Sequence, residues 1–230
     1  MRGGLWKMEE EKLRPHPIEN KPEYKVSWEV YNKLAPNTPY IRKQAIARMS
    51  ASSIYFQQSK EFNTTKSELT TIEGDGLRVN LFVSKCQFRC INCFNELSQQ
   101  EGYGEPFTDE HEKALFEKLA LPFVDGLTFV GGEPFQNATH LMKIARRVND
   151  EHPDKTIWSY TGFIIELLLM LDEDDPKRQL LNHIDVLIDG QYIDEERDEA
   201  DLKVYRGSSN QRLIDVKESI RQNKAVLYRQ

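Results

Sequence analysis

All three cysteines of the chain, Cys86, Cys90 and Cys93, fall within eight residues, in the run VNLFVSKCQFRCINCFN. Three thiols on one short loop must share a partner or be held apart by the backbone, and three readings compete. A disulfide pairs two and strands the third, and no signal peptide points to an oxidising compartment. A structural zinc site closes its tetrahedron with a fourth Cys or His at short spacing, and the nearest downstream histidine is His111. A four-iron four-sulfur (4Fe-4S) cluster usually takes four thiolates, so a C-x3-C-x2-C loop leaves one iron open to a substrate. Soft sulfurs at this reach suit iron-sulfur or zinc chemistry far better than a bridge. A metalloenzyme is expected.

The stretch beyond the loop favours the third reading. Residues 127–130 form a short apolar run with β-branched and aromatic members, read as a strand, and it ends in Gly131, Gly132, Glu133, Pro134. Two glycines let backbone approach a ligand closely, and the Glu133 carboxylate can pair with an ammonium group. Such a turn is ordinary by itself; its place after a thiolate loop gives it weight.

From residue 72 onward strand and helix signals alternate. Strands are expected over 79–83, 127–130, 156–160 and 184–188. Helices are expected over 108–120, with Asp109 and Glu112 in capping-box spacing, over 137–149, with Leu141, Ile144, Ala145 and Val148 on one face, and over 163–171. Such alternation predicts βαβ units around a parallel sheet, whose ligands gather at the carboxyl ends of the strands. The cysteines, the GGE turn, Ser159 to Gly162 and Asp189 to Tyr192 each come after one strand, so four loops should meet at one site. The hydroxyls of Ser159 and Thr161 and the carboxylate of Asp189 are groups suited to a ribose or a zwitterionic amino acid, and equally to capping strand ends.

With 230 residues and 39% hydrophobic content the chain can bury one sizeable core with an appendage. A balance of 31 basic against 37 acidic residues, net charge −6, argues against nonspecific nucleic-acid binding. The longest apolar stretch, 163–171, is interrupted by Glu166 and too short for a bilayer, so no membrane segment is expected. Unpaired thiols fit a reducing cytosol, and a cytoplasmic location is expected. Residues 1–70 are polar and proline-marked near their start, with a moderately helical stretch over 29–59. They read as an N-terminal extension of unassigned role before a catalytic domain over 71–230.

The motifs resemble those of the radical S-adenosylmethionine enzymes, whose cluster loop is C-x3-C-x2-C and whose second motif is GGE. Within that superfamily the strings CFN at Cys93, GGEPF at Gly131, IWSYTG at Ile157, DVLIDGQY at Asp185 and RGSSNQRLID at Arg206 resemble, in order, the glycyl-radical activases of anaerobic ribonucleoside-triphosphate reductases. The likeness spans 72–228, with RGSSNQR the discriminating string.

The resemblance implies an α/β fold, a partial (β/α) barrel with a polar, partly helical N-terminal extension. It implies an oxidoreductase in which Cys86, Cys90 and Cys93 hold three irons of a 4Fe-4S cluster and S-adenosylmethionine chelates the fourth. Gly131 and Gly132 would bind the methionine end, with Glu133 supporting that loop. Ser159, Thr161, Gly162 and Asp189 would line the cofactor, and Asn92 and Phe94 would border its adenine, although Phe94 reads equally as a core aromatic. One-electron cleavage of the sulfonium would yield an adenosyl radical that takes hydrogen from a glycine of the partner reductase. A low-potential donor such as flavodoxin would supply the electron. No general base is required, and the scattered histidines are expected to be surface or helix residues.

The string 204–215, VYRGSSNQRLID, reads either as a tight loop before a final strand over 225–228 or as an active-site edge where Arg206, Asn210 and Arg212 receive the partner's glycine segment. Two alternatives stand beside this function. One is a radical enzyme of the deazapurine synthase type acting on a small molecule, against which RGSSNQR speaks. The other is a zinc-stabilised binding module.

Overall fold

The computed structural model describes residues 63–197 and 205–228. The helical stretch expected over 29–59, and with it nearly all of the extension, lies outside the described residues. Among the described residues seven strands form one sheet in the order β3-β1-β2-β4-β5-β6-β7. They are β1 (Asn63–Thr70), β2 (Arg78–Val83), β3 (Glu105–Pro106), β4 (Gly126–Gly131), β5 (Thr156–Tyr160), β6 (Val186–Asp189) and β7 (Arg212–Asp215). The four central strands β2, β4, β5 and β6 are parallel, and β1 and β7 flank them antiparallel. Successive parallel strands always step to the same side, so right-handed crossovers lay their helices on one face.

Those helices are α1 (Asp109–Leu119), α2 (Ala138–Glu151), α3 (Ile165–Leu169), α4 (Pro176–Leu181) and α5 (Val216–Gln222). The α2 sequence places Leu141, Ile144, Ala145 and Val148 at helical spacing, and all four are buried. They pack with Val79, Leu81 and Val83 of β2, Leu127 and Phe129 of β4, Ile157 of β5 and Leu187 of β6 in one core. Each such fully buried aliphatic side chain contributes about 1.5–3 kcal/mol. The opposite face carries Trp158, Val186 and Ile188, with Tyr160, Tyr205, Leu213 and Tyr228 against them. Arg78 is fully buried there. Its guanidinium donates to Thr128 Oγ1 (2.7 Å), Leu127 O (2.8 Å), Thr156 O (2.7 Å), Thr156 Oγ1 (3.0 Å) and Asp75 O (3.2 Å), so its donors are accounted for.

The strands expected at 79–83, 127–130 and 156–160 are present within a residue or two. Other expectations change. Residues 63–70, assigned to the extension on sequence, form a strand of the same sheet. The capping box of α1 is made by Thr108 and His111, not Asp109 and Glu112: the Thr108 N–H donates to His111 Nδ1 at 3.1 Å. The helix expected over 163–171 is the shorter α3, and α4 comes after it, begun by Asp175 capping Lys177 N at 2.8 Å with Pro176 in the first turn. The final strand expected over 225–228 is a single bridge, Ile214 to Leu227. The segment before it supplies β7 and α5.

Candidate metal centre

The cysteine loop leaves the carboxyl end of β2 and is shaped by three residues in the left-handed region, Lys85 (φ 73°), Arg89 (φ 49°) and Asn92 (φ 53°). Each immediately precedes a cysteine. Left-handed backbone is costly for residues with a Cβ and persists only where the surroundings impose it, commonly at functional sites. Here three such turns direct three thiols from one short segment.

The surroundings that impose it come from every neighbouring loop. At the base, Lys85 N donates to Gln100 O (3.2 Å) and Cys86 N to Gln99 O (3.0 Å). Gln136, from the 3-10 turn Pro134–Asn137, brackets Gln87: its Oε1 accepts from Gln87 N (3.2 Å) and its Nε2 donates to Gln87 Oε1 (3.0 Å). Phe88 stands edge-on to Phe163 with ring centroids 5.0 Å apart. Gln191 Nε2 donates to Phe88 O at 3.3 Å, and Asn92 Nδ2 to Asp194 Oδ2 at 2.6 Å.

The backbone N–H groups of Phe88 and Arg89 favour the charged form at Cys86. The Gln191 side chain and the Tyr192 and Cys90 N–H groups have the same effect at Cys90. Burial, then the nearby Glu133 carboxylate, pushes the Cys86 thiol well above the ordinary thiol range; burial pushes Cys90 up to about 11. The thiolate forms are therefore stable here only beside a compensating cation, which a metal cluster supplies. Cys86 feels the charge of Cys90, and Cys90 that of Cys93. Among the described residues no three His, Cys, Asp or Glu side chains converge closely enough for one ion. A zinc ion holds every sulfur at about 2.3 Å, whereas a four-iron cluster takes each thiolate at a separate iron. Three thiols on one loop, each behind its own left-handed residue, suit the cluster.

The GGE turn sits against the base of this loop. Gly132 N donates to Val83 O (2.7 Å) and Glu133 N to Lys85 O (2.8 Å). At Gly131, with φ +103°, a Cβ would lie 2.5 Å from Val83 O; at Gly132 it would lie 2.5 Å from Lys85 O. Both glycines are thus required by close packing on the strand that leads into the cysteines.

Glu133 is buried, and both carboxylate oxygens are engaged. Oε1 accepts from Phe135 N (2.9 Å) and Thr161 Oγ1 (2.8 Å), and Oε2 from Gly162 N (2.8 Å). The ammonium partner anticipated for this carboxylate is replaced by a strut between the loops after β4 and β5. Burial raises its pKa to about 7 against the opposing pull of these donors.

Other anticipated residues are placed differently. Ser159 is fully buried and its register neighbours Phe129 and Leu187 belong to the helix-side core, so its hydroxyl turns away from the loops and donates to Tyr160 O (3.1 Å). Asp189 is likewise committed on that side. It accepts from Ile165 N (2.8 Å) and from Arg212 Nε (2.9 Å), while Arg212 also grips Glu166 through two bonds of 2.9 and 2.7 Å. Burial pushes the Asp189 carboxyl up and Arg212 pulls it back.

Asn210 and Arg206 also work internally. Asn210 Nδ2 donates to Gln191 O (2.8 Å), and Arg206 Nη1 to Gln211 O (3.4 Å). Phe94 is 66% exposed, which excludes the core-aromatic alternative; its ring meets Tyr192 edge-on at 5.5 Å. Of the described histidines His111 caps α1, His140 lies on α2 and His152 ends α2 and stacks on Phe116, whereas His183 is in the turn after the cap of α4, 3.1 Å from Asn149 Nδ2.

Sequence reasoning missed Phe88, Gln136 and Gln191. Gln136 adjoins GGEPF and Gln191 lies in DGQY, so each had a motif as its signal but no role; Phe88 carried no signal beyond its place between two cysteines.

Comparison with known proteins agrees with this centre. A family model described as a 4Fe-4S single cluster domain matches residues 72–214. The fold, the cysteine loop and this match define an iron-sulfur protein of the single-cluster kind. A protein of Pasteurella multocida (strain Pm70) is 39% identical over 145 residues, 61% of this chain and 88% of its own length. One of Haemophilus influenzae is 39% identical over 144 residues, 61% and 88% of the two chains, and one of Enterobacteria phage T4 is 35% identical over 144 residues, 62% and 86%. All three are named anaerobic ribonucleoside-triphosphate reductase-activating proteins, and the chain belongs to that family. Among the described residues no helix is long and apolar enough to cross a membrane.

Proposed function

We propose that the chain is a radical S-adenosylmethionine activase, an oxidoreductase that installs a glycyl radical on an anaerobic ribonucleotide reductase. One observation carries the reading: three partly buried cysteines, each directly after a residue in the left-handed region, at the carboxyl end of a parallel sheet. Relatives named as activators of that reductase support the choice of partner. When bound, the cluster and S-adenosylmethionine supply a one-electron cleavage whose adenosyl radical removes hydrogen from the partner's glycine.

The chain's own residues hold and shield. Cys86, Cys90 and Cys93 take the irons. Gly131 and Gly132 present backbone to the methionine end. Glu133 keeps Thr161 and Gly162 beside that turn, and Asn92 with the exposed ring of Phe94 borders the adenine. Ser159 and Asp189 support this wall from behind, and Arg206, Asn210 and Arg212 brace the loop after β6. The same-side stepping of β2, β4, β5 and β6 suits a partial (β/α) barrel whose helix-free face lines the reaction space. A cytosolic setting and a low-potential donor such as flavodoxin belong to the same reading, since reduced thiols and a one-electron step need both.

Anaerobic reconstitution tests it. About four irons per chain and cleavage of S-adenosylmethionine on reduction are expected, followed by a glycyl radical signal when the partner reductase is added. A colourless protein with one zinc, or iron without cleavage, would reject the reading.

A further inference from the structure

The RGSSNQR string, which looks suited to a partner, is turned inward. Arg212 grips Asp189 and Glu166, Asn210 Nδ2 donates to Gln191 O (2.8 Å) and Gln211 Nε2 to Gly190 O (2.9 Å), so these groups are committed within the chain. The cysteine loop, by contrast, keeps apolar side chains outside. Ile91, Phe94 and Leu97 are 74%, 66% and 57% exposed, within seven residues that also hold Cys93. Among the described residues no other stretch of that length exposes more than two large apolar side chains. The stretch is tied together rather than extended. Gln99 Nε2, from the 3-10 turn Glu96–Gln99 that carries Leu97, donates to Cys90 O at 3.5 Å, the carbonyl just before Ile91. Ser98 N donates to Asn95 O at 3.0 Å. Beside it stands the turn Asp194–Glu196, joined to the loop by Asn92 Nδ2 on Asp194 Oδ2 (2.6 Å) and followed by Arg197, whose guanidinium lies 5.2 Å from the centroid of the Phe94 ring. Along these two turns Glu96, Asp194, Glu195 and Glu196 outnumber Arg89 and Arg197.

We propose that Ile91 and Leu97 form the docking surface for the partner reductase, which meets them with an apolar segment flanked by basic side chains, and that Phe94 marks the border between this surface and the cofactor. The inference deepens the activase reading and rests on it. Large apolar side chains grouped at a surface and rimmed by charge have the make-up of an interface core within its polar rim. Their place along the chain names the occupant. Ile91 lies between Cys90 and Cys93, and Leu97 four residues beyond, so a protein that brings its glycine to a cofactor held by these cysteines covers both as it approaches. The acidic excess sets the sign of the flank, because like charges facing one another across an interface oppose docking.

The test uses the full chain, reconstituted anaerobically as wild type, Ile91→Ser, Leu97→Ser, the double variant and Glu96→Lys, with the cognate anaerobic ribonucleoside-triphosphate reductase as the probe. Affinity for the reductase is read by isothermal titration calorimetry. Iron per chain and cleavage of S-adenosylmethionine without the reductase are read alongside. The expected result is wild-type iron and wild-type cleavage throughout, with binding about tenfold weaker in each serine variant and weaker again in the double variant. Glu96→Lys should also bind less tightly, by a margin that narrows as salt is raised. Wild-type affinity in the double variant overturns the inference. So does loss of iron from it, which would assign Ile91 and Leu97 to folding of the loop. A change from dimer to monomer in sedimentation at unchanged reductase affinity overturns it as well, since the surface then belongs to a second copy of the chain. A wild-type chain that does not bind the reductase overturns the activase reading and this inference with it, whereas failure in the variants alone leaves that reading standing.

Discussion

Phe88, midway between the first two cysteines, stands edge-on to Phe163 at 5.0 Å, and its ring fills the space where Gly162 lacks a side chain. A Cβ on Gly162 would lie 2.6 Å from that ring. The cysteine loop is therefore seated on the loop after β5 by an aromatic plug. Gly162→Ala should displace Phe88 and cost about 1–3 kcal/mol, the usual penalty of overpacking. Iron content after reconstitution and the thermal midpoint would both fall; a variant with wild-type iron would show that the plug does not hold the loop.

Glu133 ties the same two regions by hydrogen bonds rather than packing. Both its oxygens accept from donors, so Glu133→Gln turns an amide N–H toward Gly162 N or Phe135 N and should cost about 1–3 kcal/mol. The wild type carries a pH signature as well. With its pKa raised from 4.5 to about 7 by burial, the folded chain binds a proton that the unfolded chain has released. Stability from this group is therefore full below about 4.5 and falls as pH rises through about 7, by an order of 3 kcal/mol. His183, whose pKa burial lowers, works in the opposite direction up to its ordinary range. Thermal scans of wild type and Glu133→Gln between pH 5 and 8 separate the two, since only the Glu133 slope should vanish in the variant. Parallel pH profiles for the two proteins would contradict the assignment.

Arg212 spans Asp189 and Glu166. Truncating it leaves the fully buried Asp189 without its cationic partner, so Arg212→Ala should destabilise the chain by about 3–5 kcal/mol. Were Arg212 only part of an edge that receives the partner's glycine segment, its loss would cut radical yield and leave cluster loading normal. The geometry instead ties both losses to unfolding. Denaturant titration decides: a midpoint equal to wild type would return Arg212 to the partner surface.

Arg89 occupies the left-handed region at φ 49° directly before Cys90. Arg89→Gly removes the Cβ conflict and should reconstitute with iron at least as well as wild type, whereas the β-branched Arg89→Val should lose about 1–2 kcal/mol and part of its iron. Equal loading by both variants would show that the turn does not depend on its backbone conformation.

Much of the fold was legible because its signals are local. The strand at Thr156–Tyr160 and the buried face of the helix at Ala138–Glu151 come from apolar periodicity, and each marks its own neighbourhood in the chain. The strand Arg212–Asp215 was not legible. Its polar string reads as a loop, and it becomes a strand only by pairing with Val186–Asp189 more than twenty residues earlier, an alignment sealed by Arg212 on Asp189. Ser159 could have been placed from alternation, since it lies two residues beyond Ile157 on the core face; a motif reading drew it toward the cofactor instead.

By itself the sequence determined the chemistry on offer: three soft donors at a spacing that suits an iron-sulfur cluster, and glycines at a strand end, both properties of covalent order. Only the tertiary structure decided which polar groups serve that centre and which serve the fold. Glu133, Asp189, Arg212 and Asn210 all have chemistry fit for a ligand, yet each buried or half-buried group must be satisfied by the nearest partner. Those partners, Thr161, Ile165, Glu166 and Gln191, are brought near by folding across distances that no local pattern records.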